Sequence, residues 1–452
     1  MRPASHRTLP LVAAAMTLSL LSCGQPKPDR PAVQLPVIHI NTAATIPWEG
    51  RVPCTLSVVS DGDSVSYNGK IKCRGGVSSK YFKHSYSLKL ADTLSLCGLP
   101  PNRSWILNAN YIDKTFMRHK LCYDLFSMMG ENDLAPRCAY ALVRENGQPQ
   151  GLYVVMQRLN KGVLQLKASD PGAVIFKEPK VFCADFNDTS GYGQTYPDFD
   201  KERRDTVIQA FRQFITNTPD GHFYAHIDKW MDMRNLIDWH LLILFTNDGD
   251  GVLKNFYLYK RDSGTPFRIA IWDCDHSFGR DGDNERNMLE HLPDIRRNIL
   301  IDRMMKSPGY VAELEKRYAE LRQNGLFTCE NLEKMMREND AFVRLGLEEN
   351  TRLWPYDSKD YFDAANYDEE YALILEFVRL SLARLDQELH YHPAIETTFL
   401  FRPALPCAFQ YWAITTYMPV GRGLRLSSVP SQRKVASEPH STLLAGMHTA
   451  WP

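Results

Sequence analysis

Between residues 36 and 90 apolar and polar positions alternate with a period of two: 37–40, 54–59, 64–73 after a turn at Asp61-Gly62-Asp63, and 85–90. Successive strand side chains face opposite sides, so this pattern predicts an antiparallel sheet. From 115 to 129 the period lengthens, placing Phe116, Leu121, Leu125 and Met128 on one helical face, with Gly130 suited to the C-terminal cap. Residues 140–144 and 151–156, joined around Asn146-Gly147, read as a hairpin, and 172–177 as a short strand. Residues 182–199 are rich in Gly, Asp, Asn and Tyr and read as an extended loop. Helices are predicted over 205–216 and 234–245, a strand pair over 255–260 and 267–272, and long amphipathic helices over 310–323, 329–348 and 367–390. Sheet first and helices later, with one short sheet element between them, is an α+β order.

The ends of the chain differ from this middle. Arg2 and Arg7 precede an uncharged run over 9–22, long enough for a signal-peptide core and short for a membrane span. It ends Leu20-Leu21-Ser22-Cys23-Gly24, which resembles a bacterial lipobox, so Cys23 is expected to carry a lipid anchor and the protein to be an exported, membrane-anchored bacterial lipoprotein. Four prolines between Gly24 and Pro36 suit a tether. Residues 391–452 hold only seven charged positions and no period, and read as a poorly ordered or accessory tail. The expected organisation is a signal peptide over 1–22, a tether over 23–36, one large domain over 37–390 and the tail.

Composition narrows function mainly by exclusion. The 452 residues carry 53 Lys+Arg against 53 Asp+Glu, and loss of 1–22 leaves 51 against 53, which gives no electrostatic reason to expect a nucleic-acid partner. The nine cysteines after Cys23 form no CxxC pair, so no zinc ribbon or redox motif is present; Cys122 and Cys138 fall in apolar patterns and are expected to be buried. There is no Gly-x-Ser-x-Gly, and Cys274 between two acids is a poor nucleophile.

The informative stretch is Thr246-Asn247-Asp248-Gly249-Asp250-Gly251-Val252-Leu253-Lys254-Asn255, followed by Trp272-Asp273-Cys274-Asp275-His276-Ser277. An acid follows a helix, an Asn stands five positions on, and two further acids follow the next hairpin. Phosphoryl transfer from a nucleotide needs such parts: an acid to accept the hydroxyl proton and oxygen ligands to hold a divalent cation on the phosphates. Protein kinases space their catalytic Asp, metal-binding Asn and second metal-binding Asp in this way. The pairs Asp248-x-Asp250 and Asp273-x-Asp275 also resemble the metal-binding DxD of nucleotide-sugar glycosyltransferases.

Over 36–390 the chain resembles the CotH spore-coat kinases, an atypical protein-kinase-like group with many exported bacterial members. The likeness rests on ordered motifs: Lys72-Cys73-Arg74-Gly75-Gly76-Val77-Ser78-Ser79 with Lys83-His84-Ser85-Tyr86-Ser87-Leu88-Lys89-Leu90, Trp105-Ile106-Leu107-Asn108-Ala109-Asn110-Tyr111-Ile112-Asp113-Lys114-Thr115 with Arg118, Gly151-Leu152-Tyr153, and the two acidic clusters. The resemblance implies a kinase-like α+β fold, β-rich first and mainly helical afterwards. It implies Asp250 as the catalytic acid-base residue, Asn255 and Asp273 as ligands of Mg2+ (or Mn2+), Asp275 as a supporting acid at the metal, and ATP as co-substrate. Arg74, Lys83 and Lys89 are implied at the phosphates or nucleotide pocket. Lys177, on an apolar strand, is a further candidate there or an edge lysine. Asn110, Asp113 and Arg118 are candidates for positioning the neighbouring loop.

Two positions depart from the family pattern. Gln157 stands where many members have a Glu able to pair with a phosphate-binding lysine, and Gly76 stands where a small polar residue, usually Asn, is common. Three functions follow: a kinase acting on Ser, Thr or another hydroxyl of an exported protein or glycan; a pseudokinase that binds at the surface; and a metal-dependent glycosyltransferase.

Overall fold

The computed structural model describes residues 34–60, 62–184, 192–280, 292, 294–355 and 365–392. Residue contacts divide the chain into units 1–394 and 395–452. The expected signal peptide, the Cys23 anchor, nearly all of the tether and nearly all of the tail lie outside the described residues, as does the second unit. No helix among the described residues is long and apolar enough to cross a membrane.

Seven strands, β1 (Val37–Asn41), β2 (Val52–Ser60), β3 (Asp63–Arg74), β4 (Ser85–Leu94), β5 (Asn102–Asn108), β6 (Cys138–Glu145) and β7 (Gln148–Gln157), close into a barrel in the order β1-β2-β3-β4-β5-β7-β6. The sequence pattern led us to expect a purely antiparallel sheet. Closure instead joins β1 to β6 in parallel, with Val37 opposite Leu142. The barrel core is built from inward positions such as Ile38, Leu56, Ile71, Leu88, Trp105, Val143 and Tyr153. Alternate residues of β7, Leu152, Val154 and Met156, face outward into a second, larger core. A strand buried on both faces reads as a continuous apolar run, which explains the unbroken Leu152 to Met156 stretch.

The second core lies under the helices: α1 (Arg118–Met129), α2 (Asp205–Asn217), α3 (Asp220–His226), α4 (Met233–Thr246), α5 (Ile299–Met304), α6 (Pro308–Gln323), α7 (Cys329–Leu353) and α8 (Tyr367–Glu388). Between them runs a four-stranded sheet ordered β11-β10-β8-β9, made of β8 (Val174–Lys177), β9 (Gln194–Tyr196), β10 (Phe256–Lys260) and β11 (Arg268–Ile271). Four strands or α-helices among the described residues had no counterpart in the sequence pattern: β5, β9, α3 and α5. β5 has both faces buried, with Ile106 in the helical core and Trp105 and Leu107 in the barrel, so it shows no alternation. α3 and α5, seven and six residues long, are too short to display a helical period. β9 lies within the stretch read as a loop. In α1 the buried face is completed by Met129, and Met128 is 55% exposed. Cys122 and Cys138 are buried, as their apolar context predicted.

Charges inside the helical core have partners. Arg118, fully buried, bonds Asp113 at 2.8 Å and Glu370 at 2.8 Å, and Glu370 holds Arg280 at 2.6 Å, so α1, α8 and the segment after β11 meet at one ion network. Beneath α4, Asp238 takes Arg317 at 2.6 Å, and Asp133 beside it accepts from Asn235 at 2.7 Å. Burial and the charge of Asp238 push the Asp133 carboxyl up to about 8. It is therefore held in its neutral form through the ordinary physiological range.

Candidate active site

The end of α4 sets the first acidic cluster. Asn247 adopts a left-handed conformation at φ 54° and closes the helix, and the buried Asp248 accepts a hydrogen bond from Gly251 N at 2.9 Å. A Cβ on Gly251 would meet Ile243 Cδ1 at 2.4 Å, so only glycine lets the turn sit this close to α4. The turn continues as a short 3-10 helix from Asp250 to Val252, leaving Asp250 half-buried with Lys254 Nζ at 2.9 Å. Asn255, at φ 61°, then donates from Nδ2 to the Asp273 carbonyl at 2.9 Å, while Trp272 N donates to Asn255 O at 2.9 Å. The hairpin β10–β11 thereby brings Asn255 against Asp273, and both line a single cleft.

Asp273 departs from the strand at φ 55°, with its N–H donated to the Tyr123 hydroxyl at 2.9 Å and its side chain 38% exposed. His119 Nε2 lies 3.2 Å from Asp273 Oδ1. Desolvation in the cleft raises the Asp273 pKa, but the His119 hydrogen bond and the charges of His119, Arg74 and Lys177 outweigh it and hold the carboxyl below its usual range. Asp275 moves the other way, raised by desolvation and by Asp273. Burial and the neighbouring Asp250 push Asp248 up to about 7, against the opposing Gly251 hydrogen bond.

A cleft of about 380 Å3 runs between the barrel and this edge of the helical part. Asp250, Asn255, Asp273, Asp275 and His276 line one wall, and Arg74 with the Gly75-Gly76-Val77-Ser78 turn lines the other. Gly75 has φ 144° and a Cβ there would meet Ser78 Oγ at 2.2 Å, so the turn is closed by backbone that tolerates no side chain at that point. Of the cations expected at the nucleotide, Arg74 lies in the cleft with its guanidinium 5.9 Å from the Trp272 ring centre, and Lys177 is close enough to act on Asp273. Lys177 pairs with Glu178 at 2.8 Å.

Of the other two cations, Lys83 supports the wall of the cleft and Lys89 lies away from it. Lys83 reaches the cleft wall, but it is buried and its ammonium donates to Ala109 O at 3.0 Å, Asn350 Oδ1 at 2.8 Å and Leu152 O. Those three acceptors match the three donors of an ammonium, so Lys83 ties α7 to the barrel at the cleft wall with no donor left over for a phosphate. Lys89 is exposed on β4 opposite Lys70 and Ser104, on the outer face of the barrel, and is not part of the cleft lining. Its neighbours Leu88 and Leu90 fill the barrel, which obliges Lys89 to point away.

The pattern of family-wide positions over residues 71–385 matches the family model described as CotH kinase protein. The chain belongs to the CotH kinase family. The inner spore coat protein H of Bacillus subtilis (strain 168) is 26% identical to this CotH chain over 317 residues, covering 68% of this chain and 84% of that protein. A solved structure, the Helicobacter pylori proinflammatory kinase CtkA, aligns over 70% of this chain and all of its own at 9% identity, with a TM-score of 0.22. Membership of the CotH kinase family, together with the β-rich N-terminal and mainly helical C-terminal parts described above, makes the fold the α+β, kinase-like one and the function one of kinase type.

Within this CotH domain the two departures take on definite places. Gln157 is buried outside the cleft lining, donating to Pro100 O at 3.0 Å and accepting from Arg137 N at 3.3 Å, so it closes the β6–β7 end of the barrel. Gly76 is exposed in the turn, with open space where a Cβ would stand. Asn110 and Asp113 act on the loop before α1: Asn108 Nδ2 donates to Asn110 Oδ1 at 2.7 Å, and Asp113 Oδ1 accepts from the Thr115 hydroxyl at 2.6 Å. The donor set at the cleft fits a divalent cation. One potential ligand atom from each of His119, Asp273 and Asp275 lies within 4.8 Å of the others, and Asn255 lines the same cleft as the two acids. His119 is the residue the sequence reading missed. Its signal was position alone, next to Arg118 on a helix whose face toward Asp273 no local pattern reveals.

Proposed function

We propose that this protein transfers the γ-phosphoryl group of ATP, with Mg2+ or Mn2+, to a Ser, Thr or other hydroxyl on an exported protein or glycan, while anchored to a membrane through Cys23. The observation carrying this reading is the convergence of Asp250, Asn255 and Asp273 on one cleft whose opposite wall holds Arg74 and a glycine turn. Asp250 is the group that accepts the acceptor's hydroxyl proton, and it lines the cleft with Lys254 Nζ 2.9 Å from its carboxyl. Asp273, Asp275 and Asn255 are the groups for the divalent cation, which when bound neutralises charge on the phosphates. Arg74, Lys177 and the backbone N–H groups of residues 75–78 meet the polyphosphate.

Two observations favour this over the competing readings. Asp248 is buried against Gly251, so of the two glycosyltransferase-like pairs only Asp273-x-Asp275 faces the cleft, and it does so together with Asn255, which a glycosyltransferase does not need. Gln157, the reason to consider a pseudokinase, lies away from the cleft, and Lys177 has a carboxylate partner in Glu178. The test is transfer of labelled γ-phosphate by the purified protein to itself and to casein-like acceptors, beside Asp250→Asn and Asp273→Asn. Transfer by the wild type and its loss in both variants supports the reading. A folded wild-type protein that neither binds nor cleaves ATP at millimolar concentration with either cation refutes it.

A further inference from the structure

The buried face of α1 delivers an imidazole to the acids of the cleft. His119 is about 1% exposed, and its Nε2 stands 3.2 Å from Asp273 Oδ1. Two adjacent ligands, each about 2.1 Å from one cation, stand about 3 Å apart, so the same separation serves a hydrogen bond in the ion-free protein and a shared cation in the loaded one. Asp275 completes a group of three whose candidate ligand atoms all fall within 4.8 Å. The second ring nitrogen, Nδ1, is buried with no hydrogen-bond partner among the described residues. An unmatched buried ring nitrogen costs free energy. A cation held at Nε2 would need the proton on Nδ1, which leaves the Nε2 lone pair on the side of Asp273.

We propose that His119 is a direct ligand of the divalent cation in this cleft, and that its nitrogen makes the site prefer Mn2+ to Mg2+. The inference rests on the phosphoryl-transfer reading above. Mg2+ takes oxygen ligands and keeps several waters, whereas imidazole suits the transition divalents. An all-oxygen set of Asp273, Asp275 and Asn255 would give no reason for preference, and the imidazole supplies one. The ring also stands on the helix whose Arg118 anchors the Glu370 network, so the cation would link the loop after β11 to α1 as well as to the nucleotide.

The experiment is Mn2+ titration of the full, nucleotide-free protein, followed by pulsed electron paramagnetic resonance for coupling to a nitrogen nucleus, with Mg2+ affinity measured by competition. The expected result is nitrogen coupling in the wild type, its disappearance in His119→Ala, and an Mn2+ affinity at least ~10-fold weaker with a smaller change for Mg2+. His119→Gln, which keeps a donor toward Asp273 without an imidazole, is expected to leave Mn2+ binding weak. Mn2+ bound by the wild type without nitrogen coupling, or full rescue by His119→Gln, would reduce His119 to a positioning residue and overturn the proposal, leaving the transfer reading intact. Absence of both cation binding and phosphate transfer in the wild type would overturn both. Should the variants not fold, the wild-type spectrum alone decides.

Discussion

Asp273 and Arg280 stand close in sequence, yet they belong to two charged regions that draw their partners from different places. Around Arg280, the carboxylates of Asp113 and Glu370 and the guanidinium of Arg118 are all buried, and each charge is met by another from within the protein. Around Asp273, three carboxylates open on a cleft, with Arg74 on the opposite wall and the charge of Lys177 acting on Asp273 from the neighbouring strand β8. The inner network fixes geometry, because breaking a buried pair leaves an uncompensated charge. The outer one is left incomplete, and incompleteness is what allows it to bind. The segment from Asp273 to Arg280 serves both, with the Ser277 carbonyl accepting from Arg118 Nε at 2.9 Å, so the rigid region sets the placement of the reactive one.

This contrast breaks most sharply at Asp250. Asp250→Asn is expected to lower phosphate transfer by about 10^2- to 10^4-fold, as for loss of a positioned base, with no change in unfolding midpoint; a midpoint falling in parallel with activity would place Asp250 in the structural set. The reverse is expected of Glu370→Ala, which strands Arg118 and Arg280 and should destabilise the fold by about 3–5 kcal/mol in denaturant titration. A stability within 1 kcal/mol of wild type would show that the inner network does not carry the geometry assigned to it.

Asp133 offers a third case, a buried acid whose charge is removed by a proton rather than matched by a cation. Its folded pKa of about 8 lies above the unfolded carboxylate value, so between the two the native state binds the extra proton. Stability is therefore greatest below about pH 4 as far as this group is concerned, declines as pH rises, and has lost the whole contribution once pH passes about 8. Asp133→Asn is expected to flatten that slope in unfolding experiments at several pH values. An unchanged slope would assign the pH dependence to other groups. The smallest effect belongs to Lys89→Ala, expected within about 0.5 kcal/mol in stability and neutral for ATP affinity, while Arg74→Ala weakens ATP binding. Equal losses in the two variants would restore Lys89 to the nucleotide.

How much of this was legible in the sequence depended on whether the signal was local. The hairpin of β6 and β7, the helices α2, α4, α6, α7 and α8, and the spacing of Asp250, Asn255 and Asp273 are written in short periods and fixed offsets, and these could be read. β5 could not, since burial on both faces removes alternation from Trp105-Ile106-Leu107. Nor could barrel closure, which depends on a parallel pairing of strands nearly a hundred residues apart. Lys83 shows the limit most plainly. A lysine beside a glycine turn looks like a phosphate ligand, and only the three-dimensional arrival of Asn350 and the Leu152 carbonyl reveals that its donors are used. His119 is the converse, a residue without a motif that long-range packing makes a neighbour of Asp273.

The two-sided burial of β7 has a mechanical consequence. Leu152, Val154 and Met156 belong to the helical core while Tyr153 and Val155 belong to the barrel, and α7 lies against this strand. Turning the barrel as a rigid body away from the helices would pull the outward side chains out of their packing, at about 1.5–3 kcal/mol for each one exposed. The Lys83 link to Asn350 resists the same rotation. A nucleotide entering the cleft therefore meets walls that do not swing apart, and the compliance needed to admit and release it falls to the small exposed turn of Gly75, Gly76 and Val77.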